Sequence, residues 1–155
     1  MQQSGQGSGY QQAGVDAGLV ILRVAAGLVF FMHGYQKLFD NGISATQAGF
    51  DGMGAPLPDI TAVVVTFLEL IGGLALIAGV FTRIVGVLLA IDMAGAYFIV
   101  HQENGFFAMN GGFERVFMLA GAAVALALTG PGAYAVDAIV NLSPRTSGAL
   151  TARRA

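Results

Sequence analysis

Apolar residues gather into four long runs, roughly Ala17–Phe39, Ile60–Phe81, Arg83–Val100 and Phe113–Thr129, separated by shorter polar stretches. A helix crosses the hydrocarbon of a bilayer with about 20 apolar residues. The pattern therefore predicts an all-α membrane protein, a bundle of four transmembrane helices. The third run is short and follows the second across only Thr82–Arg83, which predicts a tight antiparallel hairpin. Between the first two runs, Asn41–Asp59 carries Gly and Pro and is expected as a loop, with Asp59 as the N-cap of the second helix. Gln102–Gly112 is a second polar loop, and Gly130-Pro131-Gly132 ends the fourth helix. Beyond it, Ala133–Leu142 is too short to span and is expected along the interface, with Tyr134 at headgroup depth. The ends have a different character. Residues 1–16 form a Gly/Gln/Ser-rich stretch expected as a disordered cytoplasmic tail, residues 17–142 the transmembrane domain, and residues 143–155 a cytoplasmic basic tail.

Composition supports the same class. The 155 residues are 55% hydrophobic and 10% charged, with a mean hydropathy of +0.72. Soluble domains have about a quarter of their residues charged. The net charge of −2 excludes a nucleic-acid partner, which needs a basic face. The absence of cysteine excludes disulfides, thiol relays and iron–sulfur ligation by this chain. The first apolar run is too long, and its leading residues too poor in Lys and Arg, for a secretory signal. Lys and Arg placement sets the expected orientation. Arg83, Arg145, Arg153 and Arg154 share a side with the N-terminus, whereas the opposite side holds Asp40, Asp51, Asp59 and Glu103. Both termini are therefore expected in the cytoplasm of a prokaryote, with the two longer loops facing outward.

The few charges matter because several fall inside apolar runs, where each needs a partner, a wet cavity or a task. On the first helix Arg23, Gly27, Phe30, Gly34 and Lys37 form one stripe about 80° wide, with His33 at its edge. Glu69, Gly73, Leu76 and Val80 make a comparable stripe on the second, flanked by Gly72 and Gly79. Small residues let helices approach closely, so these faces are expected to turn into the bundle. Asp92 shares a face with Val85, Ala96 and Ile99 on the third helix, and Glu114 with Gly121 and Ala125 on the fourth. Arg23, Glu69 and Asp92 lie deep and are expected as a balanced polar interior, an architectural network joined by Asp137. His33, Lys37, His101, Glu114 and Arg115 come from separate segments but from the same outer side. With Glu69 as a floor, they form a candidate ligand pocket. Axial haem ligation by His33 and His101, or a metal site from His33, His101 and Glu114, lacks any fixed ligand spacing, and no metal site is assigned.

Four stretches carry a resemblance to a known family. LRVAAGLVFFMHGYQKLF is similar to the first-helix signature of the DoxX family, and FLELIGGLALIAGVFTRIVG to its second-helix motif and following arginine turn. HQENGFFAMNGGFE resembles its outer loop and GPGAYAVDA its end-of-bundle motif; the four occur in order from about Leu19 to Ala138. The resemblance implies a four-helix inner-membrane bundle whose characteristic polar positions are Arg23, His33, Lys37, Glu69, Arg83, His101, Asn104, Glu114 and Asp137. Asp92 departs from the pattern, which implies a small or apolar residue there. The family takes its name from a membrane subunit that passes electrons from thiosulfate to quinone, and several of its members are linked to redox stress or found beside oxidoreductases.

Three functions follow as expectations. One is a membrane subunit of a quinone-linked oxidoreductase or respiratory complex. In it the pocket would receive quinone, and the redox centre would belong to a protein partner. The second is a scaffolding subunit whose charges only glue helices together. The third is a small transporter, disfavoured because there is neither an inverted repeat nor a broken helix. The lipid bilayer is a partner in every case, and the many small residues would permit a homo-oligomer.

Overall fold

The computed structural model describes residues 4–140, with side chains from Gly9 onward; the expected basic tail and the arginines at 145, 153 and 154 lie outside the described residues. Within them the chain is all-helical. The elements are α1 (Ser4–Tyr35), α2 (Ile43–Gly52), α3 (Pro58–Ala78), α4 (Thr82–Ala96), α5 (Glu114–Thr129) and the single turn α6 (Val136–Ile139). A π-helical turn at Gln36–Asp40 extends α1, another at Tyr97–His101 extends α4, and 3₁₀ turns occupy Gln102–Asn104 and Ala108–Asn110.

Three helical stretches are long and apolar enough to cross a membrane: Gly9–Asp40, Pro58–Ala78 and Thr82–Asn104. The outward side chains suit lipid rather than water. Ile71, Ile84, Ile91 and Leu128 are all exposed, and Leu128 keeps 71% of its surface. An apolar exterior of this extent is a membrane-facing surface. The fourth expected span coincides with α5, which has 16 residues, about 24 Å of helix.

Several boundaries differ from those the sequence suggested. Helix α1 begins at Ser4 rather than near Ala17, so residues 4–16 are helix and not a loose tail. Gln12 and Asp16, one turn apart, pair at 3.3 Å, and Asp16 accepts the Ala133 amide at 3.0 Å, which ties this part of the helix to the bundle. The expected loop at 41–59 contains the ten-residue α2. It is a helix because it has a surface to cover: its buried Thr46 donates to the Lys37 carbonyl at 2.8 Å, and α2 packs on α3. Asp59 is not an N-cap. Leu57 takes that position with φ 48°, and Pro58 occupies the first turn, its fixed φ already helical. Asp59 instead lies within that first turn, next to the positive end of the helix dipole.

The expected hairpin is present as connectivity but not as the main packing. Helix α1 packs chiefly on α3 and α4 on α5, while α3 and α4 touch less extensively across their Gly79–Phe81 link. The α1–α3 seam is backbone against backbone. A Cβ added at Gly27 would lie 2.7 Å from the Gly73 carbonyl oxygen, and one at Gly73 would lie 2.6 Å from that of Gly27. Side chains cannot occupy such a gap, so glycine is required at both positions. Gly86 plays the same part on α4, where an added Cβ would lie 2.8 Å from the Ala123 carbonyl oxygen of α5. By contrast Gly121, expected on the inward face of the fourth helix, meets open space; α5 buries Val116, Ala123 and Leu126 instead. Phe30, Leu76, Leu89, Met93 and Leu126 form the apolar centre where the two helix pairs meet.

Candidate functional site: a polar cavity and a separate clasp

The deep charges do not form one network. They separate into two clusters.

The first is structural. Arg23 is 2% exposed and reaches not toward an acid but toward the segment after α5, donating to the carbonyls of Pro131 at 2.8 Å and Tyr134 at 2.9 Å. Asp137, also 2% exposed, accepts the amides of Phe81 at 2.9 Å and Thr82 at 3.1 Å. It thus caps α4 from a distant part of the chain, satisfying donors that the helix leaves unpaired. Phe81 itself sits in the left-handed region at φ 49°, which turns its amide toward that carboxylate. Arg83 closes the end of α5, donating to Ala127 at 3.1 Å, Leu128 at 2.7 Å and Thr129 at 3.2 Å. The glycine-rich segment after α5 is therefore a clasp across α1, α3, α4 and α5, and Arg23 and Arg83 are absorbed by backbone carbonyls. Asp16 belongs to the same clasp, although sequence reasoning did not single it out. The available signal is an acidic residue just before the first apolar run.

The second cluster lies at the opposite ends of these helices. His33, Lys37, Glu69, His101, Glu114 and Arg115 all line one cavity of about 700 Å³. Its apolar walls include Phe30 and Met93. Lys37 and Glu69 form an ion pair, the only salt bridge among the described residues, with side chains 19% and 5% exposed. Lys37 and His101 reach the cavity from the two π-helical turns. A π turn inserts one extra residue into the helical repeat and re-aims the side chains beyond it, an arrangement frequent at functional sites.

Hydrogen bonds fix most of these groups. His33 Nδ1 lies 2.9 Å from the Val29 carbonyl and His101 Nδ1 lies 2.6 Å from that of Gly111. A carbonyl only accepts, so Nδ1 carries the proton in both rings and Nε2 is left for another partner. Glu114 Oε2 accepts the Ala108 amide at 2.9 Å, and Arg115 donates to the Ala108 carbonyl at 3.3 Å. Asn104 donates to Val100 at 3.0 Å. His101, Asn104, Glu114 and Arg115 therefore hold the 102–113 loop, whose Ala108, Gly111 and Gly112 line the cavity. Among the described residues no three His, Asp or Glu side chains converge as a metal-ligand set.

Asp92 adjoins the second cluster without pairing into it. It is not paired with Arg23, as a balanced deep interior would require, and it lines a second cavity on the other side of the Lys37–Glu69 pair.

A bundle of apolar helices with a polar cavity between them and a clasp at the far end is a multi-pass membrane protein, and comparison with known proteins gives its family. The DoxX family model matches residues 18–102. The chain is 38% identical to "Putative oxidoreductase CatD" of Bacillus subtilis, over 81% of this chain and 88% of that protein. It is 31% identical to the inner membrane protein YphA of Escherichia coli, over 77% and 87% of the two chains, and 29% identical to YqjF of the same organism, over 81% and 94%. No solved structure matches. The protein belongs to the DoxX family.

Proposed function

We propose that this protein is a four-span subunit of a prokaryotic inner membrane, with both termini cytoplasmic, whose polar cavity receives a quinone on behalf of an oxidoreductase partner. The observation that carries the reading is the convergence of six polar side chains, from α1, α3, α5 and the π-helical extensions of α1 and α4, on one cavity of about 700 Å³. Small-molecule sites have about this size, apolar walls and a few convergent polar groups. The chemistry of the set suits a molecule with two carbonyl oxygens and an apolar tail. Lys37 and Arg115 are donors for carbonyl oxygens, while Glu69, Glu114 and the free Nε2 of each histidine exchange protons. With no cysteine in the chain, electrons would enter from a redox centre on the partner. Similarity to a protein named as an oxidoreductase and to inner membrane proteins supports both the setting and the reaction class. Helix α5, at about 24 Å, spans the core where the bilayer thins against it.

Gentle solubilisation of the native complex, followed by extraction, tests the reading. The expected result is quinone together with a co-purifying redox protein, and loss of the quinone in Glu69→Gln. Recovery of neither would end it. A scaffolding role is the second reading, favoured by the bonds that His101, Glu114 and Arg115 make to the loop backbone. Under it, Glu69→Gln with the assembly intact would leave partner activity unchanged.

A further inference from the structure

The second cavity has about 400 Å³ and lies among α2, α3, α4 and the two π-helical turns. Its lining is mainly apolar, with Phe50, Met53, Val65, Ile91 and Ile99 prominent. Asp92 also lines it, and its carboxyl accepts no hydrogen bond from the described residues, Oδ2 being enclosed without a partner. A buried carboxyl oxygen without a donor is costly anywhere, and more so in a membrane. The neighbouring charges do not relieve it. Lys37, the cation on this cavity's wall, is already paired with Glu69. Arg23 is held elsewhere by Pro131 and Tyr134.

We propose that this cavity is a binding site for an uncharged apolar molecule bearing a hydroxyl group, which donates its hydrogen bond to the Asp92 carboxyl. The volume lies within the range of small-molecule sites, about 300–1,000 Å³, and the lining suits an aliphatic or aromatic body. The head must donate, because Asp92 offers an acceptor that the protein leaves unused. A hydroxyl fits better than an ammonium. Bringing a charged amine into hydrocarbon has a desolvation cost that a hydroxyl avoids. This site is distinct from the quinone cavity and does not rest on that reading, although the two share the Lys37–Glu69 wall.

The test uses the full chain in lipid nanodiscs with a 4-alkylphenol that carries a photoreactive diazirine on its chain. Adducts are mapped by mass spectrometry. Adducts are expected at the end of α2 and on the π-helical turn after α4, around Met53 and Ile99. Unlabelled 4-octylphenol should suppress them about tenfold more effectively than 4-octylanisole, its methyl ether without a donor, which is the usual worth of a hydrogen bond to a carboxylate. 4-Octylbenzylamine should compete no better than the ether. Asp92→Leu should abolish the phenol–ether difference without lowering thermal stability, because it removes an unsatisfied group. Asp92→Asn, which keeps an acceptor oxygen, should retain part of it. Equal competition by phenol and ether, a preference for the amine, adducts only at residues that do not line this cavity, or a difference that persists in Asp92→Leu would each overturn the proposal.

Discussion

Removing either member of the Lys37–Glu69 pair should cost stability, and the two costs should differ in a way the structure dictates. Glu69 is 5% exposed on α3, whereas Lys37 is 19% exposed and sits on a π-helical turn at the mouth of the cavity. After Lys37→Met the Glu69 carboxylate is stranded in the bundle. Breaking a buried pair in this way costs about 3–5 kcal/mol. After Glu69→Gln the ammonium remains, but its flexible stem lets it turn into the cavity and regain water. The amide still accepts a hydrogen bond, so the cost should be about 1 kcal/mol. In the double variant neither charge is left, and stability should return to within about 1 kcal/mol of the parent. The coupling between the sites would then be about 3–6 kcal/mol. Reversible unfolding of the four proteins in bicelles, followed by far-UV circular dichroism, measures each quantity. A double variant as unstable as the two single losses summed would refute the reasoning, because the charges would then be acting independently. So would Glu69→Gln proving costlier than Lys37→Met.

Asp137→Ala removes the acceptor of two buried amides at the start of α4 and should cost about 2–4 kcal/mol in the same assay, with Asp137→Asn losing less. Gly73→Val would set its Cβ 2.6 Å from the Gly27 carbonyl oxygen, so α1 and α3 must part; a loss of about 1–3 kcal/mol and weaker expression in the membrane are expected. The absence of native cysteine makes topology directly readable. Met109→Cys, at an exposed position of the 102–113 loop, should react with a membrane-impermeant maleimide in intact cells, and Tyr134→Cys only after permeabilisation. The reverse pattern would invert the proposed orientation.

How far the sequence alone reaches can be judged from single residues. The stripes on α1 and α3 are legible because a regular helix repeats its faces: Arg23, Gly27, Phe30 and Gly34 are buried together, as are Glu69, Gly73 and Leu76. The members of the polar cavity are legible too, since an outer-side position follows from counting along each apolar run. The inward face of α5 is not legible at Gly121, because a helix rich in Gly and Ala is nearly uniform in polarity and its periodicity carries little signal. Helix α2 is hidden because its glycines resemble a loop, and only the α3 surface beneath it makes a helix worthwhile.

By itself, then, the sequence determined the class of protein, the positions of its apolar helices, and which polar residues lie at which end of them. These depend on local hydrophobicity and on the 3.6-residue repeat. The tertiary structure alone decided which polar groups meet. Arg23 went to the Pro131 and Tyr134 carbonyls rather than to an acid, Glu69 took Lys37, and Asp92 was left without a donor. Those choices depend on how helices from distant parts of the chain rotate against one another. That rotation is set by the Gly27–Gly73 and Gly86–Ala123 contacts and re-aimed by two π-helical turns, and the turns leave no periodic trace in the chain.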